Sequence, residues 1–234
     1  MNSSHLSDRL QAVADFVPKN SIVADIGSDH AYLPIYLAET NVISSGIAGE
    51  VAQGPLNNAI HEITKANLLD IITPRLANGL AAIEPTDHVD TITIAGMGGT
   101  LISQILTEGQ NVLKNQPLLI LQPNIGEDIV REWLMNNHYE IIEEAILAEG
   151  GHTYEIIVAK AVVSVVHYTS KQLRFGPKLM QVQNDAFLNK WRHELATNQQ
   201  VLRDLEQAVH VPKEKVEKIK NKVTMISEVL NNEG

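Results

Sequence analysis

Seven strand-like stretches alternate with helical ones through the first two thirds of the chain, and the last two strands stand side by side. The strands read as Ser21–Ile26, Val42–Gly49, Ile72–Leu76, Val89–Ala95, Leu118–Gln122, Tyr139–Leu147 and Thr153–Val163. Amphipathic or apolar helices are expected over Leu6–Phe16, Ala31–Glu39, Gln53–Ala66, Thr100–Leu113 and Glu127–Asn136. Pro34 falls in the first turn of its helix, where a missing N–H is tolerated. Such alternation predicts a doubly wound α/β fold, a mostly parallel sheet with helices on both faces. Only a Glu-Gly-Gly-His turn separates the last two strands, which is too short for a parallel crossover. The seven-stranded sheet should therefore end in an antiparallel C-terminal hairpin strand.

After Lys171 the pattern changes to helical spacing. Val216, Ile219, Val223, Ile226 and Leu230 recur at intervals of three and four, a short coiled-coil seam. Two antiparallel helices hinged at Pro212 are expected, with Phe175-Gly176-Pro177 near the boundary. The expected domains are residues 1–170, a catalytic sheet domain, and residues 171–234, an α-helical coiled-coil tail. Charge separates them too. Residues 1–170 hold 7 Lys and Arg against 20 Asp and Glu, whereas residues 171–234 hold 11 against 8. The tail's positive balance fits either a solvated helical surface or an arm that holds a polyanion. In the second case Lys171, Arg174, Lys178, Lys190 and Arg192 are the candidate phosphate contacts.

The chain has no cysteine, which excludes disulfides, thiolate metal sites and cysteine nucleophiles, and suits a reducing compartment such as the cytoplasm. Its nine histidines show no metal-ligand spacing, so no metal is expected. No apolar run approaches the ~18 residues of a membrane span, and MNSSHLSDRL lacks the apolar core of a secretion signal.

In an open parallel sheet the ligand sits outside the carboxyl ends of the strands. Those ends carry Asp25-Ile-Gly27-Ser28-Asp29-His30, Glu50, Asn78-Gly79, Gly96-Met97-Gly98-Gly99 and Gln122-Pro123-Asn124. An acid at the end of the second strand, such as Glu50, can bridge the two ribose hydroxyls of an adenosine. Dinucleotide enzymes also need a three-glycine turn for the pyrophosphate. Here only Gly27 is present, and Asp29 takes the second glycine position. A carboxylate there repels phosphate but attracts an ammonium or sulfonium centre. S-adenosylmethionine carries both and has no phosphate. The competing interpretation is that Asp25 and Asp29 only cap the turn and the helix after it. The glycines of IAGMGG allow close approach of a flat substrate, while Asn78-Gly79 and Pro123-Asn124 are also ordinary turn formers.

Taken together, DIGSDHAYLP (25–34), the AGEV around Glu50, RLANGL (75–80), IAGMGG (94–99) and LILQPN (119–124) resemble the bacterial tRNA (adenine-22, N1)-methyltransferase family over nearly the whole chain. The resemblance implies a Rossmann-like class I methyltransferase domain, S-adenosylmethionine as donor and N1 of an adenine in the tRNA D-arm as acceptor. It implies that Asp25, Gly27, Ser28, Asp29 and His30 surround the methionine part, Glu50 holds the ribose, and Asn78 and Gly79 lie by the adenine. Gly96, Met97, Gly98 and Gly99 would face the methyl group and the target base; from the residues alone, the Pro123-Asn124 amide could hydrogen-bond a base edge or simply end the strand. The Asn-Pro-Pro-aromatic motif of many amino methyltransferases is replaced by AGMGG, which leaves the base-holding group open. Asp29 is the candidate catalytic carboxylate, placed to stabilise the cationic product ring or to take a proton from its exocyclic amine. A monomer or weak dimer is expected. The alternatives are a methyltransferase of a small molecule or protein, and a non-catalytic adaptor that retains the cofactor for stability.

Overall fold

The computed structural model describes residues 5–206 and 213–231. The expected hinge at Pro212 lies outside the described residues. Two compact units divide the chain, residues 1–178 and 179–234.

The first unit is built from β1 (Ser21–Ile26), β2 (Ile43–Glu50), β3 (Ile72–Leu76), β4 (Thr91–Gly98), β5 (Leu118–Ile125), β6 (Tyr139–Glu149) and β7 (His152–Ala161), in the sheet order β3-β2-β1-β4-β5-β7-β6. Strands β1 to β5 pair in parallel, and β7 runs antiparallel to both β5 and β6. The helices are α1 (Asp8–Ala14), α2 (Tyr32–Glu39), α3 (Gln53–Lys65), α4 (Gly99–Glu108), α5 (Gln110–Leu113), α6 (Glu127–Asn136) and α7 (Ser170–Phe175).

Both faces of the sheet are buried, so successive strand residues serve opposite cores. Ile120, Ile156 and Val158 pack with Val13 of α1, Leu37 of α2 and Ile63 of α3. Their neighbours Leu119, Leu121 and Ile157 pack with Ile102 and Leu106 of α4 and Leu134 of α6.

Three differences from the sequence expectation bear on function. First, β4 and β5 extend to Gly98 and Ile125, with register shifts on either side of Met97. Met97, Gly98 and Pro123 thus belong to paired strand ends rather than to loops beyond them, and Gly96 and Asn124 fall at the shifts. Second, the helix expected over 100–113 is broken between α4 and α5 at Gly109, where a Cβ would run into Leu80. Third, the unit boundary falls after Lys178, not after residue 170. The physical reason is a buried ion cluster. Arg131, on α6, pairs with Glu144 of β6 and Glu155 of β7, all three side chains fully buried. Its Nη1 donates to the Leu173 carbonyl at 3.1 Å, and Glu144 accepts the Lys178 N–H at 2.8 Å. Segment 170–178 is thereby fastened to the sheet unit.

The second unit contains α8 (Leu179–Val182), α9 (Asp185–Glu206) and α10 (Lys213–Leu230), with α9 packed on α10. Ile226 and Val229 are buried, and Val216, Ile219, Val223 and Leu230 are half-buried. Redrawing the boundary changes the charge account. Residues 179–234 hold 8 Lys and Arg against 8 Asp and Glu, so this unit is neutral by count. Its positive charge is concentrated on α10, where Lys213, Lys215, Lys218, Lys220 and Lys222 are all exposed.

Candidate active site

Asp25 and Thr93 face each other in the register of β1 and β4. The Thr93 hydroxyl donates to Asp25 Oδ1 at 2.7 Å, and the Ser28 hydroxyl donates to Oδ2 at 2.6 Å. Asp25 is only 4% exposed. Burial pushes its carboxyl up to about 6; the two hydroxyl bonds offset part of this, and nearby Glu50 adds repulsion.

The turn after β1 is tight and left-handed. Gly27 has φ +72°, and Asp29, His30 and Ala31 also take positive φ. Three consecutive non-glycine residues in this region carry backbone strain, which is tolerated where surrounding bonds fix the chain. Those bonds are present. The N–H groups of Gly27 and Ser28 donate to the Gly49 carbonyl at 2.9 and 3.3 Å. The Asp29 N–H donates to Glu50 Oε1 at 2.6 Å. Glu50 is buried at the end of β2, and that burial raises its carboxyl above the ordinary range. The side chain of Asp29 is 88% exposed and lies 3.7 Å from His30 Nε2. The His30 ring stacks on Tyr32, with centroids 5.3 Å apart.

A cavity of about 340 Å³ opens at these strand ends. Asp25, Gly27, Ser28, Asp29, Gly96, Met97 and Asn124 line it. Seven residues named from sequence are therefore brought together around one space, and Glu50 borders it through its bond to the Asp29 backbone. His30 stands outside against Tyr32. Asn78 and Gly79 lie beyond Glu50, whose carbonyl accepts the Ala77 N–H at 2.8 Å. Gly98, Gly99 and Pro123 also lie outside the lining. Gly99 packs so closely on Gly126 that a Cβ would overlap the Gly126 carbonyl. Within the first unit, Lys171, Arg174 and Lys178 are not among the residues that line the cavity. Lys171, Arg174 and Lys178 belong to the first unit, with Arg174 Nη1 3.8 Å from Asp128 Oδ2. Lys190 and Arg192 belong to α9, and Lys190 Nζ lies 5.2 Å from the Trp191 ring centre.

Sequence reading missed Arg9, Tyr32 and Tyr154, which also line the cavity, and gave no role to Gln122. Gln122 is fully buried and organises the floor. Its Oε1 accepts the Gly96 N–H at 3.0 Å and a bond from Arg9 Nη1, while its Nε2 donates to Asn124 Oδ1 at 3.1 Å. Asn124 Nδ2 in turn donates to the Gly96 carbonyl at 2.8 Å. A glutamine at the end of an otherwise apolar strand was the available signal. Among the described residues no cluster of His, Asp or Glu is arranged to hold a metal ion, and no helix is long and apolar enough to cross a membrane.

The sequence model of the tRNA (adenine(22)-N(1))-methyltransferase family matches residues 23–228. The Bacillus subtilis (strain 168) protein of that name is 40% identical over 99% of this chain and 99% of its own length. A Streptococcus pneumoniae protein solved in complex with S-adenosyl-L-methionine superimposes with a TM-score of 0.89 at 43% identity, covering 97% of this chain and 100% of that one. M. capricolum TrmK, solved with the cofactor product S-adenosyl-homocysteine, superimposes with a TM-score of 0.85 at 28% identity, covering 97% and 98%.

Proposed function

Since the chain belongs to the tRNA (adenine(22)-N(1))-methyltransferase family, we propose that it transfers the methyl group of S-adenosylmethionine to N1 of adenine 22 in the D-arm of tRNA. The observation that carries this reading is one cavity at the ends of β1 and β4 where Asp25 and Asp29 stand in place of a phosphate-binding glycine set. Such a site suits a nucleoside that is cationic at sulfur and nitrogen and carries no phosphate. The cofactor supplies an electrophilic methyl group when bound. Glu50 would hold its ribose, and Asn78 and Gly79 would flank its adenine on the β3 side.

N1 of adenine already has a lone pair, so no base is needed to create the nucleophile. The chain's task is alignment. Gln122 and Asn124 fix the Gly96 backbone from below, and the glycines on either side of Met97 let a flat base approach. Asp29, exposed on the rim, can turn toward the ring as positive charge develops there. A base engaged in folded tRNA must leave its stack to enter this space, so we take the target to be flipped or the arm locally opened.

The sheet unit is acidic and cannot attract phosphate broadly. The exposed lysines of α10, in a coiled-coil tail, are the better RNA contacts, with Lys171, Arg174, Lys178, Lys190 and Arg192 as additional ones. A tRNA substrate is consistent with an enzyme that works in the cytoplasm. The test is incubation with unmodified tRNA and labelled cofactor, followed by primer extension. Reverse transcription should stop beside adenine 22. Label in the tRNA without that stop, or no label at all, refutes the assignment.

A further inference from the structure

We propose that Arg9 binds the α-carboxylate of the cofactor's methionine end, an inference that rests on the cofactor reading above. That end is zwitterionic. The acids lining the cavity suit its ammonium group, but they repel its carboxylate at the same short range. A cation must therefore face the carboxylate. Among the described residues lining the cavity, Arg9 is the one with a permanent positive charge.

The structure holds Arg9 for this purpose. The N-terminus of α1 is pinned across the strand ends, with the Asp8 N–H donating to Glu149 Oε1 of β6 at 2.7 Å. The next side chain enters the cavity. Its Nη1 is fixed by Gln122 Oε1, the same oxygen that accepts the Gly96 N–H. Its guanidinium carbon stands 5.5 Å from the centre of the Tyr154 ring. Nε and Nη2 make no hydrogen bond within the described residues, so a fork of donors is left for a ligand. A guanidinium fork matches the two oxygens of a carboxylate, which a lysine cannot do. A backbone phosphate of the RNA is the less suitable partner. It would have to pass Asp25 and Asp29 unaccompanied, whereas the carboxylate arrives joined to its own ammonium.

The experiment compares ligands that differ only in that group. Binding of S-adenosylmethionine, S-adenosylhomocysteine and decarboxylated S-adenosylmethionine is measured by calorimetry on the full chain, for wild type, Arg9→Gln, Arg9→Lys and Arg9→Ala. Arg9→Gln keeps an amide donor for Gln122, so the site survives even if Arg9→Ala does not fold. The expected result is a loss of about 10- to 100-fold for the two carboxylate ligands in Arg9→Gln. Affinity for the decarboxylated ligand stays unchanged, and Arg9→Lys falls between. Equal losses for all three ligands would assign Arg9 a merely structural role and overturn the proposal. So would unchanged cofactor affinity with a raised KM for tRNA. Wild-type protein that binds none of the three would instead refute the cofactor reading itself.

Discussion

Asp25 should cost the protein stability at neutral pH, and Asp25→Asn should recover it. The folded-state carboxyl titrates at about 6 against an ordinary value of 3.8, chiefly because it is buried. A carboxyl raised in the folded state binds more protons there than in the unfolded chain between those two values. The contribution of Asp25 to stability is therefore greatest below pH 3.8 and is lost as pH rises through 6. A rise from 3.8 to about 6, at about 1.36 kcal/mol per pH unit, gives a penalty of about 3 kcal/mol above pH 6. Asparagine has the same shape and no charge. Its oxygen accepts from one of Ser28 and Thr93, but its amide faces the other hydroxyl, a loss of about 1 kcal/mol. The net gain for Asp25→Asn is about 2 kcal/mol, or roughly 4–8 °C in Tm for a domain of this size. The assay is thermal unfolding of the ligand-free protein from pH 4 to pH 8, paired with cofactor titration. The gap between variant and wild type should open across that range, while the variant binds S-adenosylmethionine more weakly. A variant less stable than wild type at pH 8, or a gap that does not change with pH, would refute the reasoning.

The Arg131 cluster predicts the opposite outcome. Arg131→Met leaves Glu144 and Glu155 buried without their cation and should cost about 3–5 kcal/mol in urea unfolding. The two rim glycines should differ. Gly99→Ala drives a Cβ into the backbone carbonyl of Gly126, which cannot give way, so expression or Tm should fall sharply. Gly27→Ala meets only the mobile end of Met97 and the strain of φ +72°, about 1–2 kcal/mol, and should fold but bind cofactor poorly. Reversing Lys215, Lys218 and Lys222 to Glu should raise the KM for tRNA about tenfold or more and flatten its salt dependence, with cofactor affinity unchanged.

Sequence exposed the parts of this fold that are local. β1, β3 and α6 begin and end where glycine, proline and polar punctuation places them. Asp25, Gly27, Ser28 and Asp29 could be grouped from sequence as neighbours in the cavity lining because one short turn carries all of them. The unread half of the site is non-local. Arg9 comes from α1, Gln122 from β5 and Tyr154 from β7, and nothing in their own neighbourhoods marks them as neighbours. The same holds for the 170/178 boundary. Glycine and proline near 176 announced a break, but the bonds that decide it come from Arg131 and Glu144, more than thirty residues upstream.

The charge arrangement then has a single physical logic. Phosphate must be attracted by the protein and excluded from the cavity, and both cannot be done by one electrostatic surface. Residues 1–178 hold 10 Lys and Arg against 20 Asp and Glu. Within this excess, Asp25 and Glu50 are buried at the cavity, where screening by salt is weakest and their field on a cationic ligand is strongest. The lysines of α10 are exposed, where salt screens them and contacts can be made and broken quickly. Capture of the polyanion should thus be salt-sensitive, and alignment of the cationic cofactor largely salt-insensitive. The buried acids cost the fold stability in the absence of ligand. That cost is the structural counterpart of their affinity for a positive charge, because part of the free energy spent on desolvating a carboxylate is recovered when a cation arrives beside it.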